Sequence, residues 1–520
     1  MKKKIAMLLV LALCVCTLAG CVSTEGLKKV PQGERPETLD METLEPKFPS
    51  DSSVKNQLML IATDMKTAPD IDTQREKYNE FLYNAYVYVV GPYNFASYLS
   101  ADGRSISVYY DNMVNHMNTF LSEWDPTAWT AISDSSWGAQ LKAEYSKLMC
   151  TPDSIRNAYP TSDETVSALL QTMYDARDAL AEGLTSEEGA DLETLMDDVF
   201  TSREAVADAM NYDSYLDFVV EKREKMPYNL ENLLKLAQLV KENLAPAVAV
   251  AQDAELAQLT AEQWEEALPA LARRFPEYSE DLLYVLENGV YAVEDSEDGT
   301  SKHFAYQFYQ YDVSAGKAVL AGEAEDVLHV LRGLGLEARN MALPQNEWSM
   351  SALTVYDSVQ ENAFLGRAIG EIDAIYGEKA DAARQCLITM LAQDVCKSAM
   401  ELELMSALYE NPVMAQGERE ALAERLAAEY GFAGMDLEKI LSESEDVIMG
   451  TLNCAGDMLG GLYGLTLYDL SVQDAAAADA VLSATLCVYN AGNPIVSGYA
   501  AGLSNPYSTE GIQNVARLIK

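Results

Sequence analysis

Histidine is scarce in this chain: 520 residues carry three, His116, His303 and His329. A catalytic zinc takes three protein ligands, usually two of them histidines one helical turn apart, and leaves a fourth position for water. A glutamate beside the first histidine then acts as base on that water. No two of the three histidines stand four residues apart, so this arrangement is missing. A displaced site could be assembled from Glu325, His329 and Glu337 on one putatively helical segment, yet without a second histidine at i+4 a polar histidine on a partly exposed helix is the plainer reading. Other catalytic spacings are also absent. There is no Gly-x-Ser-x-Gly, no phosphate loop and no Gly-x-Gly-x-x-Gly; Gly333-Leu334-Gly335 lacks the third glycine and follows a helical pattern instead of a strand. With 81 acidic residues, neighbouring carboxylates carry almost no information.

The balance of 37 basic against 81 acidic residues gives a net charge of −44. Such a surface repels nucleic acid and anionic lipid headgroups, so no nucleic-acid partner is expected. A solvated acidic face accounts for most of it. Of the eight cysteines, Cys14, Cys16 and Cys21 lie near the N-terminus and Cys150, Cys386, Cys396, Cys454 and Cys487 in the body. None forms a Cys-x-x-Cys pair, which argues against zinc-ribbon and thioredoxin-type sites. Buried free thiols are expected, with one or two disulfides left open by the spacing.

Lys2 to Lys4 form a positive start, and Ile5 to Leu18 an apolar run too short to serve comfortably as a permanent span. It ends in Leu18-Ala19-Gly20-Cys21, which resembles the lipobox of bacterial lipoproteins. That resemblance implies a signal peptide over 1–20 and a diacylglycerol thioether on Cys21, holding the protein at the extracytoplasmic face of the cell membrane. Two acyl chains suffice for stable anchoring. Residues 21–54 are rich in Pro, Glu, Thr and Ser and poor in apolar groups, so an extended, mobile tether is expected there.

From residue 55 onward helical periodicity dominates. Leu169, Leu170, Met173, Leu180 and Leu184 recur at helical spacing, as do Leu233 to Val240, Leu387 to Leu408, and Leu422 to Tyr430. Asn411-Pro412, Gly431 and Asn493-Pro494 punctuate the pattern. Tyr291 to Val293 and Phe304 to Val313 are richer in aromatic and β-branched residues around Asp298-Gly299 and read as a β-hairpin. The expected fold is mostly α, two-lobed, with a small hairpin or sheet near its middle; the lobes are placed at 55–200 and 201–520.

Two segments resemble the oligoendopeptidase F-like (M3) metallopeptidases. The first is Arg203-Glu204-Ala205-Val206-Ala207 followed by Asn211-Tyr212-Asp213-Ser214-Tyr215, similar to that family's Arg-x-x-x-Ala helix and Gly-Tyr-x-x-Tyr turn. In the second, His303-Phe304-Ala305-Tyr306, Gly322 and Asp326-Val327 precede a helix at the family's intervals. Where the family has His-Glu-x-Gly-His, this chain has Arg332-Gly333-Leu334-Gly335-Leu336. The helix after Trp348 resembles the one carrying the third zinc ligand; counting back from Gln360-Glu361 puts that ligand's position on Thr354. Gly460-Gly461-Leu462-Tyr463 to Tyr468-Asp469 extends the similarity less firmly. The resemblance therefore implies an M3 peptidase-like body whose zinc ligands and general base are replaced at Arg332, Gly333, Leu336 and Thr354. An arginine stays protonated and a leucine has no donor atom, so neither ligates a metal. No metal or other cofactor is expected, and no catalytic residue is assigned. The former cleft, which in the family encloses extended peptides, is expected to hold a peptide or protein ligand, with His303 and Glu361 among its residues. Arg332 at the bottom of a groove would pair with a carboxylate, Glu361 being the expected partner, unless it points to solvent from a helix surface. An active hydrolase with a rearranged site is the alternative.

Overall fold

Helices form where apolar side chains recur every three to four residues, and several carry a side-chain cap where the chain enters them. Asp191, Asn229 and Ser508 each accept a backbone N–H three residues on, and Thr260 with Gln263 forms a capping box. In the computed structural model the described residues are 35 and 51–519, apart from short internal stretches of which 102–111, 146–163 and 343–353 are the longest. The signal segment, Cys21, Cys150 and Asp298 lie outside the described residues.

The N-terminal helices α1 (Asp51–Lys66) and α2 (Ile71–Ala85) begin a small core built on Leu58, Tyr78, Phe81, Phe120 and Trp124, against which α3 (Gly91–Ala101) packs Tyr93. Its buried members end at Leu141, whereas Val166 to Leu180 already belong to a second, much larger core with Phe95 and Tyr98. The division expected at residue 200 therefore does not coincide with the division between cores, because the helix Glu164–Thr185 packs on α4 (Leu192–Ala209). Two parts of the expected tether are also fixed. Residues 51–54 open α1, with Val54 buried, and the Arg35 guanidinium donates to Asp281 at 2.7 Å and lies 5.0 Å from the centre of the Tyr284 ring.

After α5 (Leu230–Asn243) comes a three-stranded sheet of β1 (Tyr291–Asp295), β2 (Lys302–Phe308) and β3 (Val313–Leu320), ordered β1-β3-β2. β3 runs parallel to β1 and antiparallel to β2. The hairpin expected around Asp298-Gly299 is corrected: that segment carries the chain past β3's place to the far edge, and the antiparallel pair is β2 with β3. Four helices complete the frame: α6 (Asp326–Ala342), α7 (Thr354–Gly370), α8 (Ala380–Glu410) and α9 (Asn453–Gln473). α7 and α9 meet backbone to backbone. A Cβ on Gly366 would overlap the carbonyl oxygen of Gly464, one on Gly464 the carbonyl of Asn362, and one on Gly460 would lie 2.5 Å from that of Ser358. Among the described residues no helix is long and apolar enough to cross a membrane. Cys386, Cys396 and Cys454 are buried free thiols, and Cys487 is a free, exposed one.

Candidate functional site around Arg332 and His303

α6 starts where Asp326 gathers the backbone N–H groups of Ala321, Gly322 and Glu323 and the Ser301 hydroxyl on its carboxylate. Gly322, at φ +85°, makes that tight entry possible. The cap fixes the phase of the helix and turns Arg332 towards α7 and α8. Its Nε and Nη2 donate to Asn362 Oδ1, each at 3.2 Å, and Nη2 also donates to Asp394 Oδ2 at 3.0 Å. Asn362 is held in turn by its amide, which donates to Ser358 O at 2.8 Å, while the Ser358 hydroxyl donates to Asp457 Oδ1 at 2.9 Å. The Arg332 side chain is 17% exposed. It does find a carboxylate, but the expected partner is corrected from Glu361 to Asp394, which reaches in from the middle of α8.

The position that the resemblance would give to a general base, Gly333, has no room for a side chain. Gly333 sits against Tyr291 of β1, whose hydroxyl donates to Val330 O at 2.8 Å, and a Cβ at 333 would lie 2.5 Å from that oxygen. Leu336 is buried. Thr354 opens α7, and its side chain lies outside the described residues. The donor set does not fit a zinc ion: a guanidinium already bound to a carboxylate, a glycine and a leucine offer no lone pair. The displaced trio also fails to assemble. Glu325 is exposed ahead of α6, whereas Glu337 is completely buried, faces β3 near Gly316 and has no hydrogen-bond partner on either oxygen. Burial pushes its carboxyl up to about 8, so it is uncharged at neutral pH.

A different pair meets instead. His303 Nδ1 on β2 lies 2.9 Å from His329 Nδ1 on α6, and His303 Nε2 lies 3.5 Å from Glu361 Oε2 on α7. Burial, then the neighbouring His303 and Arg332, lower the His329 imidazole to about 4 and keep it neutral. Arg339, one helical turn beyond Gly335, pairs with Asp357 and also reaches Asn340 Oδ1. Asp457 is exposed to solvent, and desolvation by the protein around it, with the carboxylates of Asp446 and Glu361, pushes it up to about 6 against the pull of Arg332 and Ser358. The cluster could not be read from the sequence, since each pair joins separate elements. The scarcity of histidine was the one usable signal.

Two further groupings are structural. Arg203, fully buried, donates to Tyr409 Oη, Val447 O and Ile448 O and lies over the Tyr215 ring, so the Arg203…Tyr215 segment clamps α4 to residues 447–450. Glu401, Asp446 and Cys454 crowd together, but Asp446 already accepts from Thr451 Oγ1 and the N–H groups of Asn453 and Cys454, as a cap for α9. A surface cavity of about 460 Å³ lined by Leu234, Glu403, Glu410 and Arg425 brings in no histidine or cysteine.

No family model and no curated protein matches the chain. Solved structures do. An assigned oligoendopeptidase F superposes with a TM-score of 0.71 at 13% identity, covering 92% of this chain and 98% of that one. PZ peptidase A with an inhibitor gives 0.73 at 12%, covering 92% and 98%. An assigned oligoendopeptidase F from Bacillus anthracis gives 0.65 at 11%, covering 93% and 97%. The fold is therefore M3 peptidase-like, over nearly the whole length of both partners. At such identities the likeness speaks for the fold alone.

Proposed function

We propose that the chain is an extracytoplasmic lipoprotein, anchored through Cys21, whose M3 peptidase-like body binds extended peptides or a segment of a protein partner without cleaving them. The observation that carries the non-catalytic reading is that Arg332, which stands where the resemblance would put a zinc ligand, is bound to Asp394 and Asn362. Tyr291 against Gly333 supports it, because a glutamate there would collide with the phenol. Peptide capture is supported by the sheet order: among the described residues β2 is an edge strand whose outer backbone groups pair with no strand. Such an edge adds an extended peptide by main-chain hydrogen bonds.

The full chain, in detergent, is titrated with fluorescent extended peptides. Binding is expected without new fragments and without change on adding chelator. N-methylation of alternate peptide amides should weaken it at least about tenfold, since each methyl removes a main-chain donor. Chelator-sensitive cleavage would replace this reading with that of an active hydrolase.

The anchor is tested separately. Cys21→Ser, with residues 1–20 removed, is expected in the soluble fraction and not the membrane fraction, because among the described residues no helix is long and apolar enough to cross a membrane. Detergent-dependent partitioning that persists after removal of residues 1–20 would refute the lipid attachment.

A further inference from the structure

Two of only three histidines in 520 residues, one on β2 and one on α6, come together side by side. We propose that His303 and His329 form a binding site for a divalent transition-metal ion of the copper(II) or nickel(II) class, with Glu361 orienting His303. The site is distinct from the family's zinc position, which Arg332 and Leu336 fill.

The argument starts from the 2.9 Å between the two Nδ1 atoms. Without metal, one ring donates its Nδ1–H to the bare Nδ1 of the other; with both protons moved to Nε2, the two bare Nδ1 atoms face one common ion. Ligands at about 2.1 Å from one ion, at right angles to each other, are about 3.0 Å apart, whereas tetrahedral ligands are about 3.4 Å apart. The observed spacing is that of neighbouring ligands in a tetragonal site, the geometry copper(II) and nickel(II) favour with nitrogen and oxygen donors.

Protonation agrees with this. A metal needs neutral imidazole, and His329 is held neutral by its surroundings. Glu361 faces Nε2 of His303, the nitrogen turned away from His329. A carboxylate that accepts the Nε2–H leaves Nδ1 bare, which is how metal-binding histidines are commonly oriented. Arg332, whose positive charge is felt at His329, is paired with Asp394. His303 and Glu361 side chains are 16% and 18% exposed, so an ion can enter and water can complete its coordination.

The test is calorimetric titration of the full chain with nickel(II), which does not oxidise the free thiols, in excess magnesium to occupy surface carboxylates. One ion per chain is expected. His303→Asn and His329→Gln, which keep polar groups of similar shape, should each weaken binding at least about tenfold, and Glu361→Gln by about 10- to 100-fold. Thermal melting of each metal-free variant checks that it is folded. Unchanged affinity in the folded double variant, or uptake that never saturates near one ion, would mean coordination by scattered carboxylates and would overturn the proposal. Peptide binding is measured without metal, so failure of that reading leaves this result intact.

Discussion

Glu337→Gln is expected to stabilise the protein by about 3 kcal/mol at pH 7 and about 5 kcal/mol above pH 8, and to leave it nearly unchanged near pH 4. Glu337 is fully buried, neither of its oxygens has a hydrogen-bond partner, and its carboxyl is raised to about 8 by burial. An unfolded chain releases that proton near pH 4.5. Below that value both states hold the proton and no penalty exists. Between about 4.5 and 8 the folded state binds one more proton than the unfolded state, so stability falls as pH rises. Above 8 the folded carboxylate is charged in an apolar site and the loss is complete. Glutamine keeps the shape and cannot ionise, so the difference between the two proteins should open across that window and then stay constant. Urea midpoints at four pH values measure it. A difference independent of pH would show that Glu337 is ionised in the folded protein, or solvated.

The second large effect is expected at the crossing of α7 and α9. Gly366→Ala should cost about 3 kcal/mol or more, the upper end of the range for overpacking, because its Cβ would meet the backbone of Gly464 and not a side chain that can turn away. Gly417→Ala supplies the contrast. Gly417 lies in a helix with nothing within 4 Å of the added carbon, so alanine there should raise stability by about 0.5–1 kcal/mol. Equal costs at the two positions would mean that α7 and α9 do not touch through their backbones.

Much of the fold was legible before any coordinates. Leu387 to Leu408 falls inside α8, Leu233 to Val240 inside α5, and Leu169 to Leu184 inside the helix Glu164–Thr185. In each case one face had to be buried, and periodicity reports that directly. β3 was missed for the opposite reason. It is the central strand, buried nearly throughout, and its Ser314, Gly316 and Lys317 mask an apolar run that would otherwise mark it. Gly316 is needed because Phe304 O and Glu337 crowd its Cα, and Lys317 reaches Glu294 at 2.8 Å. With β3 unseen, β1 and β2 were paired with each other. The partner of Arg332 failed similarly: spacing along a helix selects a face, but Asp394 comes from 62 residues further on.

The contact of Arg35 with Asp281 and Tyr284 changes how the body would sit on a bilayer. With a lipid on Cys21, residues 22–34 would separate the attachment point from the first contact with the body, at Arg35. Fully extended, that length reaches about 45 Å. The body would then hang from its own flank beside the helix Ser279–Glu287, not from the tip of its smaller core. Rotation about the attachment would be confined, and one side of the molecule would face the headgroups most of the time.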